Sequence, residues 1–124
     1  MIRLTLTLSS VYLAVVGLAL LFVPLQFGVG AVPADASTEL IALLRLLGGP
    51  FLGIAVLNWL SRGTPFVGSL RKILIANAVG FGVVALNDVW GVATGEARES
   101  ARLFLGVHLG FTLAFLIFLR LSGR

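Results

Sequence analysis

Residues 40–60 read LIALLRLLGGPFLGIAVLNWL, with Arg45 as their one charged residue. A helix needs about 20 mostly apolar residues to cross about 30 Å of hydrocarbon. This stretch has that length and that character. Lipid offers no partners for backbone N–H and C=O groups, so the segment must bond to itself as a helix. Ser37, Thr38 and Glu39 stand just ahead of it and suit a helix N-terminus. Three further stretches read the same way. Residues 4–23 run to Pro24, residues 73–92 follow a basic turn at Arg71 and Lys72, and residues 103–119 end at Arg120.

The connections carry loop chemistry. Residues 24–38 hold Gly28, Gly30, Pro33 and Asp35, and residues 61–69 hold Arg62, Gly63, Pro65 and Gly68. Residues 93–100 are short and polar, with an interfacial helical turn expected from Glu96. Short connections make successive helices antiparallel neighbours. The expected fold is all-α, an integral membrane four-helix bundle running up-down-up-down as a single domain over 1–124.

Composition supports lipid as the solvent. Hydrophobic residues make up 59% of the 124-residue chain and charged residues 11%, against about 25% charged in a soluble domain. A water-soluble core of this size cannot hide so much apolar surface. The net charge is +4, but the basic residues flank apolar runs and form no stripe with aromatics. That pattern fits a membrane surface and not a nucleic acid. There is no cysteine, which excludes disulfides, thiol redox chemistry and Cys-ligated metal. Arg3 and Ala34-Asp35-Ala36 carry hints of a signal peptide. The run from Leu4 to Val23 is too long for its apolar segment, and the small residues lie too far beyond, so a retained span is expected.

Charge asymmetry sets direction. Arg3, Arg62, Arg71, Lys72, Arg120 and Arg124 flank one side, while Arg98 and Arg102 flank the other beside Asp35, Glu39, Glu96 and Glu99. Lys and Arg gather on the cytoplasmic side, so both termini are expected there, in a bacterial inner membrane. Trp59 and Trp90 fall at the two boundaries, as an aromatic belt requires.

Ionisable groups inside a span are expensive and call for a partner or a cavity. Arg45, Asp88 and His108 are three such groups. Each lies four or five residues from a span end, roughly 6–8 Å below the same boundary at 1.5 Å per residue. An Arg45–Asp88 ion pair with His108 beside it is the expected arrangement, with Asn87 or Trp90 adding hydrogen bonds. Such a layer serves either as a lock on helix register or as a binding site. Gly48-Gly49-Pro50 lies one turn beyond Arg45. Pro50 has no N–H to offer the Leu46 carbonyl, so a kink or break is expected.

Smaller polar groups form stripes. Asn77, Gly80, Val84, Asn87 or Asp88, and Gly91 share a helical face, and so do Thr5, Ser9 and Tyr12. These faces, with Asn58, are expected to form interhelical hydrogen bonds inside the bundle. The pairs Gly49/Gly53, Gly91/Gly95 and Gly106/Gly110 have the spacing that lets helices approach closely, within the chain or across a homo-oligomer seam.

Several chemistries are excluded. One histidine cannot supply two axial haem ligands or a histidine metal cluster within one chain. Lys72 is the one lysine and stands at a span edge, which removes a retinal-type Schiff base. No nucleophile–base set, phosphate loop or dinucleotide fingerprint occurs. No cofactor or metal is therefore expected, and an enzyme ranks last.

Length and four spans resemble the small multidrug resistance transporters, but the first span lacks the acidic residue that family relies on. Arg45-Leu46-Leu47-Gly48-Gly49 opens the second span and Asn58-Trp59-Leu60-Ser61-Arg62 closes it. With the basic entry to the third span and His108 in the fourth, these resemble small bacterial four-helix membrane proteins of the DoxX-like kind. That resemblance implies an inner-membrane bundle and assigns no catalytic residues. The expected role is a structural or accessory subunit in a homo-oligomer or larger membrane complex. The alternative is a binder or transporter of a small amphiphile at Arg45, Asp88 and His108.

Overall fold

A computed structural model describes residues 1–65 and 68–121. The described residues hold five helices: α1 (Ile2–Phe22), α2 (Pro24–Phe27), α3 (Thr38–Ser61), α4 (Gly68–Thr94) and α5 (Ala101–Leu121). Four of them, all but α2, are long and apolar enough to cross a membrane. That length and composition mark a multi-pass membrane protein. Arg124, counted above with the basic flank, lies outside the described residues, as do positions 66 and 67 of the expected second loop.

Helix ends differ from the expected spans for local reasons. The Ser37 side chain accepts a hydrogen bond from the Leu40 amide at 3.3 Å, so α3 starts at Thr38. Its N-terminal end lies two residues earlier than the apolar run suggests. Residues 24–38 are not wholly loop. Val23 leaves the helical conformation at φ −135°, and Pro24 then opens the one-turn α2, since its fixed φ suits a first helical position. Arg71 and Lys72 lie inside α4 rather than in a turn before it. The apolar period extends upstream: Leu70 and Leu74, four apart, are both buried.

The expected helical turn at Glu96 is absent. Gly95 takes φ +75° and ends α4, and the Ala97 amide then donates back to the Gly91 carbonyl at 3.0 Å. α3 continues through Pro50 without a break; the neighbouring helical bonds carry the turn across the missing donor.

The chain forms two compact units. One comprises Leu6–Arg62; the other joins Met1–Thr5 to the chain from Gly63 onward. In the first, α1 buries Leu6, Ser9, Ser10, Leu13, Val16, Gly17 and Leu20. Those positions step round the helix every three or four residues and so form one stripe. The opposite stripe of Leu4, Leu8, Val11, Val15, Leu18 and Phe22 is exposed and apolar, as a lipid-facing surface must be.

Gly17 of α1 and Gly48 of α3 meet backbone to backbone. A Cβ on Gly17 would stand 2.9 Å from the Gly48 carbonyl oxygen, and one on Gly48 would stand 2.7 Å from that of Gly17. Eight positions before Gly17, Ser9 pairs with Asn58, ten positions after Gly48. The two helices therefore run antiparallel. Within their own units Gly49, Gly53, Gly106 and Gly110 make no such close approach.

In the second unit α4 and α5 form an antiparallel hairpin. Phe81 stacks near Phe111 and Phe115 with ring centroids 4.8 and 6.0 Å away. Further along, Gly82 faces Thr112, and Asp88 meets His108. The buried stripe on α4 is Leu70, Leu74, Asn77, Ala78, Phe81 and Ala85. Gly80, Val84 and Asn87, expected to face inward, are exposed. The large Phe81 ring sets which face of α4 meets α5, and that choice turns Gly80 and Val84 outward.

Candidate functional site

Asp88 stands six residues before the end of α4, and His108 seven residues after the start of α5. Both are therefore about 9–10 Å from their common connection. Equal depth on the two arms of a hairpin brings them together. The His108 Nδ1 lies 2.5 Å from Asp88 Oδ2. The two side chains share one short hydrogen bond across the hairpin. Side-chain exposure is 11% for His108 and 15% for Asp88, which leaves the pair close to the surface of the hairpin without sealing it.

Aromatic rings frame the imidazole. Phe81 and Phe104 have centroids 6.1 and 6.3 Å from it. The Thr112 hydroxyl donates to the His108 carbonyl at 2.7 Å, one turn on, and so spends its hydrogen bond locally. Low polarity strengthens the Asp88–His108 bond relative to water and raises the cost of separating the two groups.

Two other expected members of this layer, on the same helix as Asp88, turn away from the pair. Asn87 and Trp90 are exposed. Asp88 continues the α5-facing stripe of Phe81 and Ala85, and positions 87 and 90 fall off that stripe. Asn87 makes no side-chain hydrogen bond among the described residues. Arg45 stands on α3, in the other unit. Asp88 is paired with the imidazole. Of the Gly48-Gly49-Pro50 run, Gly48 is buried against α1, and Gly49 and Pro50 are exposed.

A second polar cluster joins α1 to α3. The Asn58 side-chain amide donates to Ser9 Oγ at 3.1 Å, and Ser9 Oγ donates to the Leu6 carbonyl at 3.1 Å. Ser10 Oγ donates to the Ala55 carbonyl at 2.6 Å. Ser9 and Asn58 are fully buried. This is the interhelical bonding anticipated for Ser9 and Asn58. Ser10 and Gly17 escaped the sequence reading, although with Leu13 they share one helical face. Asn77 bonds its own helix through the Ile73 carbonyl at 2.9 Å. Asn58→Leu removes the donor to Ser9 and is expected to cost about 0.6 to 1.7 kcal/mol, the range for such bonds between membrane helices. Reversible unfolding in mixed micelles measures it, and no loss at all would mean that Asn58 contributes packing alone.

At the same C-terminal end of α3 the Arg62 guanidinium lies 3.6 Å above the Trp59 ring. Cation and indole stacked in this way suit a membrane boundary. Among the described residues, no group of three or more His, Cys, Asp or Glu side chains could hold a metal ion. No protein-family model, curated protein or solved structure matches the chain.

Proposed function

We propose that this chain is a non-enzymatic integral membrane protein, a structural or accessory subunit of a larger membrane assembly. Its four spans run up-down-up-down with both termini on the cytoplasmic side of a bacterial inner membrane. The observation that carries this reading is the use made of polar groups inside the spans. Asn58 and Ser10 spend their bonds on neighbouring helices, and Asp88 meets His108 across the hairpin. No buried side-chain nitrogen or oxygen among the described residues lacks a partner. Groups bonded to each other hold helices in register. The antiparallel pairings of α1 with α3 and of α4 with α5 support the alternating course, and the basic flanks support its direction.

Crosslinking in intact membranes, then purification in mild detergent, tests the role. A stoichiometric partner or a defined homo-oligomer is expected; a monomer under both conditions would sink it. Labelling of cysteines placed at Arg71 and at Glu99 tests direction, with the two expected in opposite compartments.

A second reading has its own observation. The Asp88–His108 pair is partly exposed beside Phe81 and Phe104. A small amphiphile with a polar head would meet the pair and lay its apolar part on the rings. Protection of the His108 imidazole resonance on adding alkyl amines or alkyl phosphates would favour it over the structural role.

A further inference from the structure

We infer that Trp59 and Arg62 hold the phosphate of an anionic phospholipid at the C-terminal end of α3. This rests on the reading that α3 spans a membrane, which puts that end at the headgroup level. The two side chains are set in place within their own unit. The Arg62 guanidinium lies 3.6 Å from the centre of the Trp59 ring, and its Nη1 donates to the Trp59 carbonyl. A guanidinium carries five N–H donors, so a bond to one carbonyl leaves others to give. Those donors lie in its own plane, and a ring beneath covers a face and not that rim. The indole N–H adds one more donor beside it. Because the ring already fixes the arm, little freedom is lost when an oxygen arrives.

Charge selects the ligand. The C-terminus of a helix is its negative end and would turn an anion away. Here the last carbonyls are met: Ser61 Oγ donates to that of Leu57 at 2.7 Å, and the Arg62 amide and guanidinium both donate to that of Trp59. The sequence then gives this end no acid of its own, since none occurs between Glu39 and Asp88. Along α3, Glu39 stands in the first turn, roughly 34 Å from Arg62 at 1.5 Å per residue. The start of α4 adds Arg71 and Lys72. A basic helix end at a membrane surface draws anionic headgroups, whereas a zwitterionic headgroup brings its own cation. Two oxygens of a phosphate ester match the planar fork of Arg62.

The test uses the full chain with Trp90→Phe, so that Trp59 is the one tryptophan left. It is reconstituted at physiological salt in vesicles of phosphatidylcholine and phosphatidylglycerol, with bromine on the acyl chains of one lipid or the other. Bromine quenches an indole that it touches, so Trp59 emission reports which lipid stands beside it. A preference of about fivefold for phosphatidylglycerol is expected, the ratio for one Lys or Arg at an anionic surface. Arg62→Gln should bring quenching by the two lipids level. Arg98→Gln, a cation beyond the far end of α4, should leave the preference as it is. Arg62→Lys keeps the charge without the fork and should keep part of the preference; it serves if the glutamine variant does not fold. Equal quenching by both lipids in the chain that retains Arg62 would overturn the assignment, as would a preference that Arg62→Gln leaves intact. So would emission that neither lipid quenches, which would mean that protein covers the indole. Extraction of the chain from membranes by alkaline carbonate would instead defeat the spanning reading itself, which the quenching ratios do not address.

Discussion

Gly48→Val is expected to destabilise the chain by about 3 kcal/mol, the upper end of the range for overpacking. A Cβ there would sit 2.7 Å from the Gly17 carbonyl oxygen and 2.7 Å from Leu21 Cγ. The leucine can turn; the carbonyl belongs to a helix backbone and can retreat only if α1 moves. Gly17→Ala meets the reciprocal obstacle at 2.9 Å from the Gly48 oxygen, and should cost about 1–3 kcal/mol. Once one side chain has parted the helices the other adds little, so the double substitution should cost less than the sum. Moving α1 also stretches the Ser10–Ala55 and Asn58–Ser9 bonds. Gly49→Ala, one position on, meets nothing within 4 Å and should leave stability nearly unchanged. Unfolding by SDS in mixed micelles, followed by helical circular dichroism, ranks all four. Equal midpoints for substitutions at Gly48 and Gly49 would refute the contact.

The second large effect concerns sign more than size. Asp88→Leu strands the His108 imidazole and His108→Leu strands the Asp88 carboxylate, each in a site 11–15% exposed. Each single change should cost about 1–3 kcal/mol, the penalty for leaving one partner unmet. Replacing both with leucine removes the stranded group, so the double variant should be more stable than either single one. The coupling is expected at about 0.5–3 kcal/mol. The same unfolding assay reads the cycle. Losses that simply add would mean that the two side chains do not depend on each other.

Much of the fold was legible because a span announces itself by length and lack of charge. The four long helices are in the places the apolar runs predict, with ends moved by the Ser37 cap and the buried Leu70–Leu74 pair. Asp88 and His108 were legible as rare ionisable groups at like distances from one short connection. Which face each helix turns inward was not. In water the buried face is the apolar one; in lipid both faces are apolar, and the amphipathic period that guides such a choice fades. That is why Gly80, Val84 and Asn87 were assigned inward and Phe81 and Ala85 were passed over. It also hid Gly17, whose role depends on what Gly48 of another helix presents to it.

The bond between Asp88 and His108 bears on how the protein is made. A nascent α4 released alone into the bilayer would carry its acid into oil with no companion. Residues 95–100 are all that separate it from α5, and Gly95 and Ala97 already fold that tether back on itself. The last two segments can therefore leave the translocon side by side, with acid and imidazole joined before either meets the acyl chains. Lengthening the tether with a flexible insert would uncouple their entry and lower the yield of inserted protein, while leaving the amino acids of both helices untouched.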